Sequence, residues 1–205
     1  MKNLVKVKKK DLPIAAKTLA LAFMKDPLSK AVFVEESTRF DYLLDYFRFR
    51  IHYGIKYGYV YASSDKFEGI AVWIPSDKAH VSTWRGMLTG GLRLYAKVGF
   101  SMVSKFDEVN HYTTSLRDSV IEPPYIQLSP IGVTPDEQGK GLGTKLILPM
   151  MKKLDDDNLK CFLETQEERN VAYYQRFGFE IAKETIIPGL NLQNWVMIRE
   201  PKNKD

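Results

Sequence analysis

One segment, which reads LSPIGVTPDEQGKGLGT, constrains the fold of this chain most strongly. It runs from an apolar strand through a proline-marked turn to three alternate glycines, Gly139, Gly141 and Gly143, and an apolar-periodic stretch follows. Glycines let a backbone approach a ligand closely, and the first turn of a helix offers unpaired N–H groups and a positive dipole end. The segment therefore predicts a strand, a loop and a helix that form a cradle for an anion such as a diphosphate.

Two better-known phosphate signatures fit this loop poorly. A P-loop ends in Gly-Lys-Ser/Thr, whereas Lys140 precedes the last two glycines here. The dinucleotide fingerprint GxGxxG matches two of the glycines, but Thr144 stands where its third glycine belongs. Nucleotide hydrolysis is therefore disfavoured, while a nicotinamide or flavin dinucleotide protein stays open as an alternative.

Periodicity along the rest of the chain predicts alternating helices and strands. Predicted helices run from the cap Asp11 to about residue 24 and over 38–53, 80–109 with a break at Gly90 and Gly91, 143–154 and 169–177. Predicted strands cover 4–8, 57–63, 68–74, 125–133, 160–164, 179–187 and 195–199. The fold class predicted is therefore α/β, with a mixed sheet.

Composition bounds the domain count and the class of partner. The chain has 205 residues, of which 44% are hydrophobic, and this predicts one domain over residues 1–205 with a helical insertion at about 79–110. The formal charge of +5 attracts anions but is modest beside that of nucleic-acid binders, so no nucleic-acid partner is expected. A small polyanionic molecule is enough to account for this positive charge.

Localisation follows from the single cysteine and from the lack of long apolar runs. Cys161 lies in the apolar run CFLE, which predicts a buried thiol and a reducing compartment. The basic N-terminus leads to no signal-type apolar core, and no run approaches the roughly 18 apolar residues of a membrane span. We therefore expect a cytoplasmic protein that has no membrane partner.

A second motif, RNVAYYQRFGF, places Asn170 and Tyr174 four residues apart on one helix face. Together with QGKGLG, it resembles the GNAT superfamily of acetyl-CoA-dependent N-acetyltransferases. Within that superfamily the chain is most similar to the puromycin N-acetyltransferase branch, through GVTPDEQGKGLG, LILP, FLET and YYQRFGF. The resemblance is specific over residues 127–201, is fainter at AFMKDP and AVWIP, and does not extend to residues 76–122.

The resemblance implies a fold and a cosubstrate. The fold would be a mixed, mostly antiparallel twisted sheet with a splayed central parallel strand pair, flanked by helices. Acetyl-CoA would bind with its diphosphate in the glycine loop and its pantetheine arm along the splayed strand, and no metal is implied. The residues that the resemblance assigns to coenzyme A are Ile131, Gly132, Val133, Gln138, Gly139, Lys140, Gly141, Leu142, Gly143, Thr144, Asn170 and Tyr174.

The same resemblance implies two catalytic residues. Tyr174 would protonate the departing thiolate, whereas Tyr173 faces about 100° away and is expected in the core. Glu164 ends a strand beside the thioester and would remove a proton from the substrate ammonium. A carboxylate that caps the next helix or pairs with Arg169 is the alternative, and His52 and His111 are rival bases.

The predicted function is transfer of acetyl from acetyl-CoA to the primary amine of a small molecule, of the aminonucleoside or antibiotic kind, by direct attack in a ternary complex. Aromatic and acidic residues of the predicted helix over 38–53, together with Trp73 and Trp84, would suit a cationic, partly aromatic substrate. A protein or peptide N-acetyltransferase and a non-catalytic CoA-binding regulatory module are the alternatives. The chain is expected to be a monomer or a homodimer.

Overall fold

The computed structural model describes residues 3–202, and over residues 97–106 it describes the backbone alone. Within these residues the strands are Val5–Lys6 (β1), Tyr59–Ala62 (β2), Gly69–Pro75 (β3), Tyr125–Val133 (β4), Lys160–Thr165 (β5), Glu180–Ile187 (β6) and Leu192–Arg199 (β7). The α-helices are Leu12–Phe23 (α1), Pro27–Val32 (α2), Glu36–Tyr57 (α3), Ser76–Ala79 (α4), Thr83–Leu88 (α5), Gly91–Asp118 (α6), Leu142–Asp156 (α7) and Glu168–Gln175 (α8).

The strands form one sheet in the order β1-β2-β3-β4-β5-β7-β6. Strands β4 and β5 pair in parallel, and each other neighbouring pair is antiparallel. The predicted mixed α/β fold is therefore confirmed, with its one parallel pair near the middle of the sheet. The hairpin predicted at residues 57–74 is also confirmed, as β2 and β3.

Helices cover both faces of the sheet because side chains alternate along each strand. On β3, Ile70, Val72 and Ile74 pack in one buried cluster with α1 and α3. Ala71 and Trp73 pack in a second cluster, with α7 and α8 on the opposite face. The C-terminal part of α6 lies on the α3 side of the sheet, where Leu116 packs with Phe162 of β5 and Val196 of β7. We call the two sides the α3 face and the α7 face.

Apolar spacing on helix α3 predicts two stripes, one of Phe40, Leu44, Phe47 and Ile51 and one of Tyr42, Tyr46, Phe49 and Tyr53. Members of both stripes join the core: Phe47, Ile51 and Tyr53 are buried, and Phe40, Leu44, Tyr42 and Tyr46 pack against the same cluster. Leu43, which belongs to neither stripe, is also buried. A Cβ at Gly54 would lie 2.6 Å from a methyl carbon of Val72. The helix axis therefore sits close against the sheet, as a glycine allows.

The segment before β4 is helical, as predicted, and it also breaks where predicted. Gly90 has a φ of 102° and precedes the first residue of α6. That helix continues to Asp118, beyond the predicted end near residue 109. A further helix, α2, was not predicted: Asp26 caps it by accepting from the Ser29 N–H at 2.8 Å, and Pro27 occupies its first position. No helix within residues 3–202 is both long and apolar enough to cross a membrane.

Candidate active site

The predicted cradle lies between β4 and α7, and two of its glycines leave open space. Gly139 and Gly141 both have a φ of 79°, a backbone conformation that side chains rarely adopt. A Cβ added at either glycine would meet no atom within 4 Å among the described residues. These glycines therefore shape an open loop at the start of α7, where N–H groups have no partner within the helix.

Gly143 has a different role from the other two glycines. Its φ is not positive, but a Cβ there would lie only 2.5 Å from the phenol oxygen of Tyr173. That oxygen is buried. The Arg176 guanidinium lies over the same ring, 4.9 Å from its centroid. Tyr173, which was expected in the core, thus packs its ring in the α7-face cluster and sets its hydroxyl against the first turn of α7.

Two polar side chains predicted for the cradle are engaged within the protein. Gln138 donates from Nε2 to the carbonyl oxygen of Val133 at 3.1 Å, which links the loop to the end of β4. Lys140 is exposed and pairs with Glu137, with Nζ 3.0 Å from Oε2. The predicted cradle residues are thus adjacent in space, but the backbone of the loop, not these side chains, forms its open surface.

The central parallel strands separate, as the resemblance implied. Pairing between β4 and β5 ends at Gln127 and Phe162, although both strands continue beyond these residues. Ile131, Gly132 and Val133 pair with β3 on their other side and do not pair with β5. The last part of β4 therefore presents an unpaired edge toward β5, and we call the space between these two strand ends the cleft.

A bulge in β4 marks the place where the cleft begins. The register with β3 shifts between Ala71 and Trp73, so Ser129 and Pro130 are accommodated as an irregularity. Arg50 of α3 binds this bulge: its Nη2 donates to the Ser129 carbonyl oxygen at 3.1 Å and lies 3.3 Å from the Ser129 hydroxyl. Arg50 could not be predicted from the sequence, because its partner Ser129 lies 79 residues away in the chain.

Asn170, at the start of α8, is tied to the end of β5. Its Nδ2 donates to Oγ1 of Thr165 at 3.2 Å, and the same hydroxyl accepts from the Glu167 N–H. Thr165 is 6% exposed. The side chain predicted for the pantetheine arm thus lies beside the cleft and already holds β5 to α8.

Tyr174 lies on the α7 face of the cleft, packed with Cys161 and Leu163 of β5. Burial raises the pKa of its phenol above the ordinary value near 10, and the neighbouring Tyr173 and Cys161 add to this increase. The phenol is therefore neutral at physiological pH and has a proton to donate. Because the raised pKa makes complete proton transfer to a thiolate unfavourable, donation of a hydrogen bond is the less demanding role.

Glu164 lies on β5, two residues beyond the last pair with β4, and its side chain points to the α3 face because Leu163 points to the α7 face. Burial raises the pKa of Glu164 to about 7, while a hydrogen bond from Asn194 and the charge of Arg117 oppose this increase. A carboxyl that titrates near neutral pH is suited to general base catalysis.

The alternatives considered for Glu164 are not realised in the structure. Arg169 pairs with Glu167, with Nε 3.5 Å from Oε1, and Glu164 instead accepts from Nδ2 of Asn194 at 2.9 Å. His52 has Nδ1 3.1 Å from the Thr89 carbonyl oxygen, in a separate cavity of about 390 Å³ beside α3. His111 is exposed on α6.

The two tryptophans considered for the acceptor differ in exposure. Trp73 is fully buried in the α7-face cluster, and Trp84 is exposed on α5. No group of three or more His, Cys, Asp or Glu residues in the described part of the chain is arranged to hold a metal ion.

Comparison with known proteins connects these features. The family model described as "Acetyltransferase (GNAT) family" matches residues 96–179. An uncharacterized N-acetyltransferase of Schizosaccharomyces pombe is 29% identical over 212 residues, which cover 97% of this chain and 83% of that protein. Sequence and fold together support the GNAT acetyltransferase superfamily. The same comparisons support an acyltransferase enzyme, and GNAT enzymes use acetyl-CoA as cosubstrate.

Solved structures described as acetyltransferases share the fold over almost the whole chain. A Corynebacterium glutamicum structure described as histone acetyltransferase HPA2 and related acetyltransferase has a TM-score of 0.67 at 16% identity, covering 98% of this chain and 97% of that chain. Arylalkylamine N-acetyltransferase 2 of Aedes aegypti has a TM-score of 0.64 at 14% identity, covering 97% and 98%. The ribosomal-protein-S18-alanine N-acetyltransferase of Escherichia coli has a TM-score of 0.55 at 15% identity, covering 98% and 95%.

Proposed function

We propose that this chain transfers the acetyl group of acetyl-CoA to the primary amine of a small molecule. The observation that carries the proposal is the cleft, where β4 and β5 stop pairing. The glycine loop follows the unpaired end of β4, Glu164 lies on the unpaired end of β5, and Tyr174 packs against β5. Bound acetyl-CoA supplies the thioester whose acetyl group the amine accepts. Direct attack is proposed because the chain has no GxSxG elbow and its one cysteine is buried.

We assign the binding of coenzyme A to the backbone of the loop and to the free edge of β4. The positive-φ glycines and the first N–H groups of α7 suit a diphosphate, because they bring backbone donors and the helix dipole to an open surface. The unpaired residues 131–133 offer N–H and C=O groups to an extended amide-containing arm. Leu142, Thr144 and Asn170 complete the proposed site at the ends of α7 and α8.

We assign opposite proton roles to the two sides of the cleft. Glu164, on the α3 face, would accept a proton from the acceptor ammonium, and its pKa of about 7 leaves a large ionised fraction at neutral pH. Tyr174, on the α7 face, would donate a hydrogen bond to the sulfur of the leaving group. A base and a donor on opposite faces suit a reaction in which the amine approaches from one face and the thiol leaves toward the other.

A small amine is favoured over a folded protein surface because helices cover the α3 face. Helix α2 packs against α3, α6 and the strand β7. At its start, burial raises the pKa of Asp26, and the nearby negative charge of Glu167 adds to this increase. Two carboxylates near the end of β5 favour a cationic acceptor.

Residues 1–205 would act as one domain with an inserted helical segment at about 79–110. Within the superfamily, the proposed similarity to the puromycin N-acetyltransferase branch rests on the motifs quoted in the sequence analysis.

The experiment is to incubate the protein with acetyl-CoA and a panel of amines and to follow release of free thiol, with product masses measured. The panel contains aminonucleosides, arylalkylamines, polyamines and peptides with free N-termini. We expect amine-dependent thiol release. We also expect a product about 42 Da heavier than the amine, because acetylation replaces one hydrogen with an acetyl group. Turnover confined to peptides would replace the small-molecule proposal with the peptide alternative, and binding of CoA without turnover on any amine would favour the regulatory module.

A further inference from the structure

Asn194 links Glu164 to a second amide in the interior of the protein. It is fully buried on β7, and its Nδ2 donates to Oε2 of Glu164 at 2.9 Å. Its Oδ1 accepts from Nε2 of Gln166 at 2.6 Å. Both ends of the Asn194 amide are therefore used, in a chain that runs from Gln166 to Asn194 to Glu164.

The direction of this chain follows from the chemistry of the carboxylate. An ionised carboxylate only accepts hydrogen bonds, so Asn194 must turn its NH₂ group toward Glu164. Its carbonyl oxygen is then left for Gln166, which donates to it. Gln166 thereby stabilises the orientation of Asn194 that suits ionised Glu164, because a reversed Asn194 would place two acceptors against each other.

The contact also distinguishes the two oxygens of Glu164. Oε2 is occupied by the Asn194 N–H, which leaves Oε1 as the oxygen without that donor. We propose that Asn194, held in turn by Gln166, is a positioning residue that fixes the Glu164 carboxylate so that Oε1 takes the acceptor's proton. In this step an N–H bond of the ammonium breaks, its electron pair stays on nitrogen as the nucleophilic lone pair, and an O–H bond forms at Oε1. This inference rests on the proposed acetyl transfer.

Besides Asn194, the side chains of Arg117 and Tyr125 lie on the same side of the sheet as Glu164. Arg117 of α6 lowers the pKa of Glu164 through its charge, and Arg117 itself pairs with Asp118, with Nη2 2.9 Å from Oδ1. Tyr125 of β4 packs on the same face, and burial raises the pKa of its phenol, so it stays neutral. Loss of the Asn194 donor should therefore raise the pKa of Glu164 further, since burial would then be opposed by Arg117 alone.

The test uses N194L, N194D and Q166L, with Q193L as the matched control. Gln193 neighbours Asn194 on β7 and points to the other face of the sheet. Two midpoints are measured: the acid limb of kcat/KM against pH, and the ¹³C NMR titration of the Glu164 carboxyl in the free protein. The NMR midpoint requires no turnover, so it tests the inference separately from the proposed function.

We expect N194L to move both midpoints upward by on the order of one pH unit, the size of a hydrogen bond to a charged group. N194D should move them further in the same direction, because a second carboxylate adjoins the first. Q166L leaves Asn194 in place and should therefore move the two midpoints less than N194L does. Q193L should leave both midpoints unchanged. A lower rate at every pH with unmoved midpoints in N194L and Q166L would overturn the inference. Absence of thiol release in the unaltered protein, with the NMR midpoints shifted as expected, would instead count against the proposed function alone.

Discussion

The α7 face and the α3 face of the cleft are built in different ways. On the α7 face, the loop is shaped by glycine backbone, and Tyr173 and Tyr174 pack as rings within an apolar cluster. On the α3 face, Glu164 is held through side-chain hydrogen bonds by Asn194 of β7, and Arg50 of α3 binds the β4 bulge. The first face depends on steric space and backbone conformation, whereas the second depends on polar partners that are distant in the chain.

From this difference we expect the α7 face to bind the cosubstrate and the α3 face to receive the acceptor. Backbone amides suit the cosubstrate, which is the same for every acceptor, because the positions of these amides are set by the fold itself. Side chains from several elements suit a site that is specific to one acceptor, since each can be replaced without altering the fold. Mutations in the glycine loop and at Glu164 should therefore separate binding of CoA from proton transfer.

The largest expected effect is that of E164Q on the α3 face. Removing the base should lower kcat/KM by about 10²–10⁴-fold, the usual contribution of a general base, and leave the affinity for CoA unchanged. In the unaltered protein, kcat/KM should rise with pH through about pH 7 as Glu164 ionises, and E164Q should lose this limb. Steady-state thiol release against pH measures both. E180Q, at an exposed position of β6, is the control, and a near-normal rate for E164Q would remove Glu164 from the mechanism.

The next effect concerns stability and the support of the α7 face. The buried guanidinium of Arg199 donates to both carboxylate oxygens of Asp155, at 2.7 and 2.9 Å, and to the Phe177 carbonyl at 2.8 Å. It therefore joins β7 to the ends of α7 and α8. D155A should lower the free energy of unfolding by about 3 kcal/mol, because it leaves a buried charge without its partner.

Acid should reduce the loss of unfolding free energy that D155A causes. Burial alone would raise the pKa of Asp155, but the Lys202 N–H and Arg199 outweigh it and lower the pKa. The stability from this pair is thus present above the unfolded pKa near 3.9 and is lost as the pH falls through the lower folded value. Urea unfolding at pH 7 and at pH 3 checks this. The control D156A removes an exposed pair with Lys152 and should cost under about 1 kcal/mol; equal losses for D155A and D156A would contradict the account.

Y174F should lower kcat by about 10²-fold, because it removes the hydrogen bond to the sulfur of the leaving group, with little change in the affinity for CoA. The ring remains to fill its place among Tyr173, Phe179 and Leu163, so the fold should be retained. Stopped-flow thiol release and calorimetric titration with CoA measure the two quantities. Equal losses of rate and of CoA affinity would mean that Tyr174 binds the cosubstrate and does not act as the donor.

The smallest predicted effect is on the affinity for CoA. G143A should weaken binding roughly tenfold, because the new methyl group would clash with the Tyr173 oxygen and displace the first turn of α7. Y173F removes that oxygen, and the nearest remaining ring atom lies 3.4 Å from the added carbon, so G143A/Y173F should regain most of the affinity. G86A, whose added carbon would lie 3.7 Å from Val81, is the control. Failure of Y173F to rescue G143A would assign Gly143 to direct contact with the ligand.

The strand, loop and helices of the α7 face could be predicted because their determinants are local. The glycine loop and its helix lie within one short segment, and Asn170 and Tyr174 lie on one helix, so spacing alone places them. Tyr173 packs against the apolar cluster, as its angle on the helix predicted. Its hydroxyl lies against Gly143, a contact between two helices that periodicity on one helix cannot predict.

The α3 face could be predicted only in part, because its contacts join distant segments. Glu164 was found as the carboxylate that follows an apolar strand, but Arg50 is separated from Ser129 by 79 residues and Asn194 from Glu164 by 30. A polar residue within the apolar strand NWVMI was the one available signal for Asn194. Helix α2 was missed because Asp-Pro both ends one helix and starts the next.

The central claim is that the cleft between β4 and β5 and the loop before α7 bind acetyl-CoA. Amide hydrogen exchange of the unaltered protein, measured with and without acetyl-CoA and with NAD as the comparison ligand, tests it directly. The account predicts that acetyl-CoA slows exchange at residues 131–133 and 139–144, and that NAD does not. Protection by NAD at these amides, or no protection there by acetyl-CoA, would contradict it.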